Sequence, residues 1–316
     1  MRVARYDATG KELLWSTTAP GVPNLTAPGA SATLVTAVAT AVGRSRPDPS
    51  GSIGHVLFAA TGVRTRTSAA ASLAAALQHR IGAAAVTVCS DALTAYVGAI
   101  GTRPGVVTVA GTGAIALAVD PRGGYRLVDG WGYLLGDAGS GYDIGRSAAA
   151  AALAAHDGRG PTTQLQEVLS RRFGDVEAVV LNVYGSPAPV RMLASLAVDV
   201  FDAAARGDGV SVQIVTRAAK DLARLAAAAL AARGGSAGAT AGQPEHSYAG
   251  SVFRSDLLRN LYLRELDALH PGSRLVPPAG DALAGGVRLV MEIDGPFARA
   301  LLEGCRARVG SPGGTP

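Results

Sequence analysis

The sequence predicts an α/β protein, and three observations support this prediction. Short apolar runs typical of buried strands alternate with alanine- and leucine-rich stretches that have helical spacing. Hydrophobic residues make up 48% of the chain and charged residues 17%, a balance that excludes a disordered protein. The length of 316 residues fits one large or two ordinary domains, with ample chain for a buried core.

The first part of the chain alternates strands and helices. Two short strands, "RVARYD" (2–7) and "ELLWSTT" (12–18), are joined by "ATGK" and are typical of a hairpin. The elements that follow are a helix at 30–43, a buried strand at 55–60, a helix at 66–80 and a strand at 84–89.

The second part of the chain has the same mixed character. Residues 106–120 have the pattern of a strand, a glycine turn and a strand, and residues 141–232 are mostly helical. Within this helical region, "LARLAAAALAA" (222–232) predicts a buried helix. The remaining elements are a strand-like stretch at 246–252, a helix at 255–269, the segment "SRLVP", and helices near 279–292 and 296–308.

Composition excludes several kinds of partner. The net charge of +5 comes almost entirely from arginines scattered along the chain, whereas nucleic-acid binding needs a basic stripe or patch. No apolar run approaches the ~20 residues of a membrane span, and the N-terminus has no signal-peptide pattern. Cys89 and Cys305 form no C-x-x-C, so neither a zinc site nor a disulfide framework is indicated and no metal ligand is assigned. We therefore expect a cytoplasmic protein that binds no nucleic acid and no membrane.

The stretch "GWGYLLGDAGSGYDIG" (130–145) concentrates glycine in a chain otherwise rich in alanine, leucine and valine. Because glycine weakens regular elements but lets a backbone approach a ligand closely, the stretch predicts either a knot of turns or a binding loop. If the stretch is a binding loop, the glycines beside Asp137 leave its carboxylate accessible to a ligand. If it is a set of turns, Asp137 caps the following helix. Trp131 correspondingly either lies against a sugar face or belongs to the core.

Two further stretches carry candidate binding or catalytic groups. In "VAGTGA" (109–114), the turn Gly111–Thr112–Gly113 follows a strand and either cradles a phosphate with its N–H groups or is an ordinary hairpin turn. In "CSDALTAYVGAI" (89–100), Asp91 lies between a strand and a helix. It is either the N-cap of that helix or a general base at the carboxyl end of the strand, where ligands of α/β proteins gather.

One internal similarity has two explanations, a duplication or a turn type that two unrelated hairpins share. "YDATGKELL" (6–14) and "VDPRGGYRL" (119–127) share a strand, an Asp-x-x-Gly turn and a strand, with Asp7 matching Asp120 and Gly10 matching Gly123. At this offset, the counterpart of the glycine turn 111–113 would precede Met1. Two unrelated hairpins that share a common turn explain the similarity equally well.

Several motifs together resemble the N-acetylglucosamine kinase group of the BadF/BcrA-type ATPase family. These motifs are "GVPNL" (21–25), "SDALTAYVGAI" (90–100), "AGTG" (110–113), "GWGYLLGDAGSGYDIG" (130–145) and "AGSVFRS" (249–255). The resemblance covers nearly the whole chain and implies a two-domain actin/hexokinase-like fold, duplicated and ribonuclease H-like, with an inter-domain cleft. It places a smaller N-terminal domain at 1–104, with 296–316 packing back on it, and a larger domain at 105–295.

The resemblance also implies an activity and its residues. The expected enzyme is a homodimeric kinase that uses ATP and Mg²⁺ to phosphorylate the 6-hydroxyl of N-acetylglucosamine or glucosamine. Asp91 matches the family's catalytic base. The positions that match nucleotide contacts are Gly111, Thr112, Gly113, Ala194, Gly250, Ser251 and Ser255. The positions that match sugar contacts are Asn24, Gly130, Trp131, Gly132 and Asp137.

The chain departs from the family's pattern in two ways. Ala114 and Ile115 replace polar residues that help to hold sugar, and Ala138 replaces a glutamate in the aspartate–glycine motif. In addition, "MRVARYDATG" matches the segment directly after the family's first phosphate loop, Asp-Gly-Gly-Gly-Thr. We therefore expect that loop and the strand before it to be missing from residues 1–316, through a misplaced start codon or a deletion, and phosphoryl transfer to be slow.

Two other functions stay open at this point. The same family includes ATPases that activate dehydratases through an iron–sulfur cluster shared by a dimer. Such a cluster needs closely placed cysteine ligands, which Cys89 and Cys305 do not supply. A non-catalytic or vestigial protein that binds sugar or nucleotide also agrees with the missing loop.

Overall fold

The computed structural model describes residues 2–7, 12–17, 25, 29–44, 53–63, 67–234 and 243–305. The chain divides into two compact units. Unit 1 comprises the described residues of Met1–Pro104, Asp120–Tyr125 and Pro278–Pro316, and unit 2 comprises those of Gly105–Val119 and Arg126–Pro277. Among the described helices, none combines the length and the apolar character that crossing a membrane requires.

Unit 1 contains two small sheets and five helices among its described residues. Its strands are β1 (Arg2–Tyr6), β2 (Glu12–Thr17), β3 (Ile53–Ala60) and β4 (Ala83–Ser90). Its helices are α1 (Ala30–Arg44), α2 (Thr67–Ile81), α3 (Asp91–Ile100), α11 (Ala282–Met291) and α12 (Pro296–Cys305). The predicted hairpin is confirmed by the pairing of β1 with β2. The two early helices and the two strands β3 and β4 are also confirmed, and their apolar residues form a buried cluster.

The described strands of unit 1 form two separate pairs. β1 pairs with β2 as antiparallel strands, β3 pairs with β4 as parallel strands, and the two pairs form separate sheets. Helix α11 contacts both β1 and β3. β1 and β3 therefore lie in different sheets.

Residues 278–295, which we expected in the larger domain, group with unit 1. The physical reason is the packing of α11 and the segment before it on α3. The Ala279 N–H donates to the Ala99 carbonyl at 2.9 Å, and a Cβ at Gly98 would lie 2.0 Å from the Asp281 carbonyl oxygen. The two backbones are therefore in direct contact at this position. The chain returns to unit 1 at residue 278, earlier than the predicted boundary at residue 296.

Unit 2 is built on a five-stranded sheet of order β7-β6-β5-β8-β9. The strands are β5 (Gly105–Ala110), β6 (Ala114–Val119), β7 (Tyr125–Asp129), β8 (Glu245–Ala249) and β9 (Arg274–Leu275). β5 pairs with β6 as antiparallel strands and with β8 as parallel strands, and β8 continues in parallel to β9. The predicted strand–glycine turn–strand at 106–120 is confirmed, with the turn at the β5–β6 connection.

Unit 2 also contains seven α-helices within the described part of the chain. They are α4 (Gly141–His156), α5 (Leu165–Phe173), α6 (Ala178–Gly185), α7 (Pro189–Ser195), α8 (Ala197–Ala205), α9 (Gly209–Gly234) and α10 (Asp256–Leu269). The predicted buried helix at 222–232 is the second half of α9, with Leu222 and Ala226 fully buried. α9 packs against β5, β6, α4, α8 and α10, and so forms the centre of the core.

The predicted strand at 246–252 is shorter than expected, and the turn of the second hairpin is held by a side chain. The predicted strand 246–252 ends at Ala249, because Gly250 takes a φ of +104° and is followed by a 3₁₀ turn at Ser251–Arg254. In the second of the two similar hairpins, the Asp120 carboxylate accepts the N–H groups of Arg122 and Gly124 at 2.7 and 3.0 Å. Gly10 of the first hairpin lies outside the described residues, so the proposed duplication stays a prediction.

Candidate functional site

Asp91 lies at the edge where two parallel strands of unit 1 end. Ala60 at the end of β3 is in register with Ser90 at the end of β4, so the residues that follow, Thr61 and Asp91, are neighbours. The Thr61 hydroxyl donates to Asp91 Oδ2 at 2.6 Å. The Asp91 side chain is also exposed. A fixed and accessible carboxylate of this kind can accept a proton from a bound hydroxyl group.

The cap of the following helix is a different residue. Ser90 is the N-cap of α3, and its Oγ accepts the Ala92 N–H at 3.2 Å. Asp91 is the first helical residue, and its Oδ1 accepts the same N–H at 3.0 Å. The alternative in which Asp91 is the N-cap is therefore wrong, because the N-cap is Ser90.

Leu25, which directly follows the predicted sugar-binding residue Asn24, contacts the same edge of the strands. Leu25 is buried, and its N–H donates to the Thr61 carbonyl at 3.2 Å. Asn24 precedes it directly but lies outside the described residues, so its predicted role stays a prediction. Thr61 itself was not found from the sequence. The signal that was present is a hydroxyl residue directly after the buried strand that pairs with β4.

The glycine turn Gly111–Thr112–Gly113 is held from one side by the start of α4. The N–H groups of Gly141 and Tyr142 donate to the carbonyls of Gly111 and Thr112 at 2.7 and 3.2 Å. Within the part of the chain that the structure describes, the N–H groups of Thr112 and Gly113 have no hydrogen-bond partner. The Thr112 side chain is exposed. The turn thus offers two N–H donors and a hydroxyl group, which suits an anion.

Three of the other predicted nucleotide residues lie beside this turn. A Cβ at Gly111 would lie 4.0 Å from Ser251 Oγ, and one at Gly250 would lie 2.1 Å from the Ala110 carbonyl oxygen. On the other side, a Cβ at Gly141 would lie 3.7 Å from the Ala194 Cβ. Residues from β5, α4, α7 and the end of β8 therefore meet at one turn.

Ser255 has a defined structural position. It is the N-cap of α10, and its Oγ accepts the Leu258 N–H at 3.3 Å. A hydroxyl group used in this way still has its own proton to donate. The predicted contact of Ser255 with a nucleotide stays a prediction.

Asp137 links the glycine-rich stretch to the glycine turn. Its carboxylate accepts the N–H groups of Ala114 and Gly132. A Cβ at Gly113 would lie 2.8 Å from Asp137 Oδ2. Burial raises the pKa of Asp137 and the nearby Asp129 carboxylate adds to the rise, while the two backbone hydrogen bonds oppose it. The carboxylate therefore lies half-buried beside the turn, with lone pairs left for a ligand.

Two structural alternatives for the glycine-rich stretch are wrong, namely Asp137 as the cap of the following helix and Trp131 as a core residue. Ser140, not Asp137, is the N-cap of α4, and its Oγ accepts the Asp143 N–H at 3.2 Å. Trp131 is 65% exposed and so does not belong to the core. We call residues 129–139 the glycine loop. Between Gly130 and Gly136 it carries the exposed side chains of Trp131, Tyr133, Leu134 and Leu135.

The described residues do not contain a metal site made by the protein alone. No group of three or more histidine, cysteine, aspartate or glutamate side chains within them is placed to hold an ion. Mg²⁺ in phosphoryl-transfer sites is commonly bound by one or two carboxylates together with substrate phosphates. We therefore assign no residue of this chain as a magnesium ligand.

The fold defines a class of protein. It is the actin/hexokinase-like fold of sugar kinases. A protein from Chromobacterium violaceum, provisionally named N-acetylglucosamine kinase, superposes with a TM-score of 0.68 at 25% identity, over 92% of this chain and 94% of that one. A ROK family glucokinase from Streptomyces griseus has a TM-score of 0.53 at 16% identity, over 94% of this chain and 95% of its own.

The sequence places the chain within that class. The model of the BadF/BadG/BcrA/BcrD ATPase family matches residues 10–285, and the chain belongs to this family. The resemblance found from the motifs is therefore confirmed. An N-acetylmuramic acid/N-acetylglucosamine kinase from Clostridium acetobutylicum is 37% identical over 139 residues. Those residues are 43% of this chain and 45% of that relative, so the match spans less than half of its length.

Proposed function

We propose that this protein is an ATP-dependent amino-sugar kinase that phosphorylates the 6-hydroxyl of N-acetylglucosamine or glucosamine. The observation that carries the proposal is the exposed Asp91 carboxylate, held by Thr61 at the end of two parallel strands. The relative from Clostridium acetobutylicum, named a kinase of N-acetylated amino sugars, supports the substrate class. The family, described as ATPases, supports ATP as the phosphate donor.

In the proposed reaction, Asp91 accepts the proton of the 6-hydroxyl while the sugar oxygen attacks the γ-phosphorus of ATP. The new bond is the sugar O–P bond, the bond that breaks is the one between the γ-phosphorus and its bridging oxygen, and ADP leaves. Phosphoryl transfer depends mainly on positioning and on stabilising phosphate charge. The N–H groups of Thr112 and Gly113 and the Thr112 hydroxyl supply donors for that charge. Mg²⁺ would arrive with ATP and offset part of its charge.

The sugar would bind through the glycine loop. Asp137 has lone pairs left for sugar hydroxyls, and the exposed Trp131 ring offers an apolar face for the ring of a sugar. Ala194, Gly250, Ser251 and Ser255 would lie on the adenosine side. A homodimer and a cytoplasmic location remain parts of the same proposal.

The direct test incubates the protein with ATP labelled in the γ-phosphate and, separately, N-acetylglucosamine, glucosamine and N-acetylmuramic acid. We expect label in the sugar, at the 6-position by nuclear magnetic resonance. Kinases typically turn over at roughly 1–100 s⁻¹, and this range is the reference for the measured rate. Sugar binding without transfer would instead identify a non-catalytic binding protein. ATP hydrolysis that is independent of sugar would favour the ATPase alternative.

Asp137→Ala tests how the glycine loop acts. If the carboxylate binds sugar hydroxyls, the loss of a charged hydrogen bond costs about 1.5–3 kcal/mol. The KM for sugar should then rise roughly 10- to 100-fold, with a much smaller change in the KM for ATP. Initial rates with each substrate varied in turn measure both constants. Equal rises in the two KM values would show that Asp137 serves to hold the turn at Ala114, and would remove it from sugar binding.

A further inference from the structure

We propose that Asp129 is a positioning residue that sets the shape of the glycine loop, and through it the places of Trp131 and Asp137. The inference rests on the proposed function, because these two residues are the proposed sugar contacts. Asp129 is the last residue of β7, directly before the glycine-rich stretch. Nothing in its sequence pattern had singled it out.

A single carboxylate closes the glycine loop at both of its ends. Asp129 Oδ1 accepts the N–H groups of Trp131 at 3.4 Å and of Asp137 at 3.1 Å. Its Oδ2 accepts the Ala138 N–H at 3.3 Å. The segment between them turns back on itself, since the N–H groups of Leu135 and Gly136 donate to the Gly132 carbonyl at 3.1 and 2.8 Å. The shape of the loop therefore depends on the Asp129 side chain.

The backbone conformation of Asp129 is one that a non-glycine residue adopts only when other interactions stabilise it. Its φ is +59°, in the left-handed region where glycine is the usual residue and a side chain is disfavoured. A residue that bears a side chain persists there when surrounding interactions over-determine it. The three N–H groups bound by its carboxylate are interactions of that kind.

The neighbouring glycine fits the same interpretation. A Cβ at Gly136 would lie 2.1 Å from Asp129 Oδ1 and 3.1 Å from the Trp131 Cβ. A larger residue at 136 would therefore push the carboxylate away from its donors. Part of the glycine content of the loop is explained by the space that Asp129 needs.

The network continues from Asp129 to the glycine turn. Asp129 fixes the N–H of Asp137, and the Asp137 carboxylate in turn accepts the N–H of Ala114, directly after the turn 111–113. Trp131, the other residue bound by Asp129 Oδ1, carries the exposed ring. A change at Asp129 should therefore act on sugar binding without removing any group that touches the sugar.

The test compares Asp129→Gly with Asp129→Asn. Glycine adopts the same φ freely but provides no acceptor, so this variant removes the hydrogen bonds without adding backbone strain. Asparagine also tolerates this φ and keeps one acceptor oxygen. Asp120→Gly is the matched control, since Asp120 precedes β7 and accepts two backbone N–H groups in a turn away from the glycine loop.

The first measurement needs no enzymatic activity. Hydrogen-exchange mass spectrometry of peptides that cover residues 130–138 should show exchange roughly tenfold faster in Asp129→Gly, an intermediate rate in Asp129→Asn and no change in Asp120→Gly. Unchanged exchange in Asp129→Gly would overturn the inference. This result stands whether or not the protein phosphorylates sugars, so the failure of the two proposals can be told apart. If Asp129→Gly does not fold, the same comparison is made with Asp129→Asn.

The second measurement connects the loop to the sugar. We expect the KM for N-acetylglucosamine to rise roughly tenfold in Asp129→Gly, less in Asp129→Asn, with the KM for ATP changed less than about threefold. If the wild type binds the sugar without phosphorylating it, calorimetric titration with N-acetylglucosamine replaces the KM. Faster exchange of the loop with unchanged sugar binding would show that Asp129 stabilises the fold only, and would overturn the positioning role.

Discussion

Asp91→Asn should lower kcat by roughly 10²- to 10⁴-fold while leaving the fold nearly intact, because general bases typically contribute that much. The amide has the shape of the carboxylate and keeps an oxygen that can accept the Thr61 hydroxyl. What it loses is the ability to take a proton. Initial rates at saturating ATP and N-acetylglucosamine measure the effect, with thermal unfolding as the check on folding.

Ser90→Ala provides the control for Asp91→Asn. It removes the N-cap of α3, at a cost of about 1 kcal/mol in the free energy of unfolding, but leaves the Asp91 carboxylate in place. We therefore expect a lower Tm with kcat almost unchanged, the opposite of the result for Asp91→Asn. Turnover retained in Asp91→Asn would remove Asp91 from the chemistry and leave it as a residue that supports the start of α3.

The elements of this fold could be predicted because their signals are local. Apolar spacing locates the described elements of unit 1 and the strands of unit 2 to within a few residues. Between residues 141 and 232 it predicts a mostly helical region and locates the buried half of α9, but it does not separate the other helices. Asp91 and Asp137 were candidates for the N-caps of α3 and α4, and both assignments are wrong for a local reason. Ser90 and Asp91 are both residues that cap helices well, and so are Asp137 and Ser140, so the sequence alone does not choose between neighbours.

Contacts that depend on the tertiary structure could not be predicted in the same way. Thr61 matters because β3 is parallel to β4, and Asp129 matters because the chain returns to it eight residues later. Neither relation has a periodic pattern in the sequence. The grouping of residues 278–295 with unit 1 likewise follows from a backbone contact between Gly98 and Asp281, which are far apart along the chain.

Asp208→Ala should destabilise unit 2 by roughly 3–5 kcal/mol, since a lost cap costs about 1 kcal/mol and each buried donor left unpaired about 1–3 kcal/mol. Asp208 is buried directly before α9. Its Oδ2 accepts the N–H and the hydroxyl of Ser211 at 2.9 and 2.6 Å, and the Thr163 hydroxyl at 2.9 Å. Its Oδ1 accepts the Gln164 N–H at 3.0 Å. One carboxylate thus joins the start of α9 to the segment before α5.

The controls for Asp208→Ala separate this network from a general loss of charge. Asp157→Ala removes an exposed carboxylate paired with Arg159, and such surface changes cost less than about 0.5 kcal/mol. Asp208→Asn keeps one acceptor oxygen and should lie between the wild type and Asp208→Ala. Urea unfolding followed by circular dichroism gives the free energies for all four proteins.

The contribution of Asp208 should also depend on pH in a defined direction. Burial alone would raise the pKa of this carboxyl, but the hydrogen bonds from Ser211, Gln164 and Thr163 together hold it below its ordinary value. A carboxyl group whose pKa is lower in the folded state stabilises the fold above its unfolded pKa of about 3.9. This stabilisation is lost as the pH falls through the folded-state pKa. The difference in unfolding free energy between wild type and Asp208→Ala should therefore be constant from pH 7 to about pH 5 and shrink below about pH 4. A difference that grows as the pH falls would mean that the folded protein holds Asp208 in its protonated form, and the network described here would be incorrect.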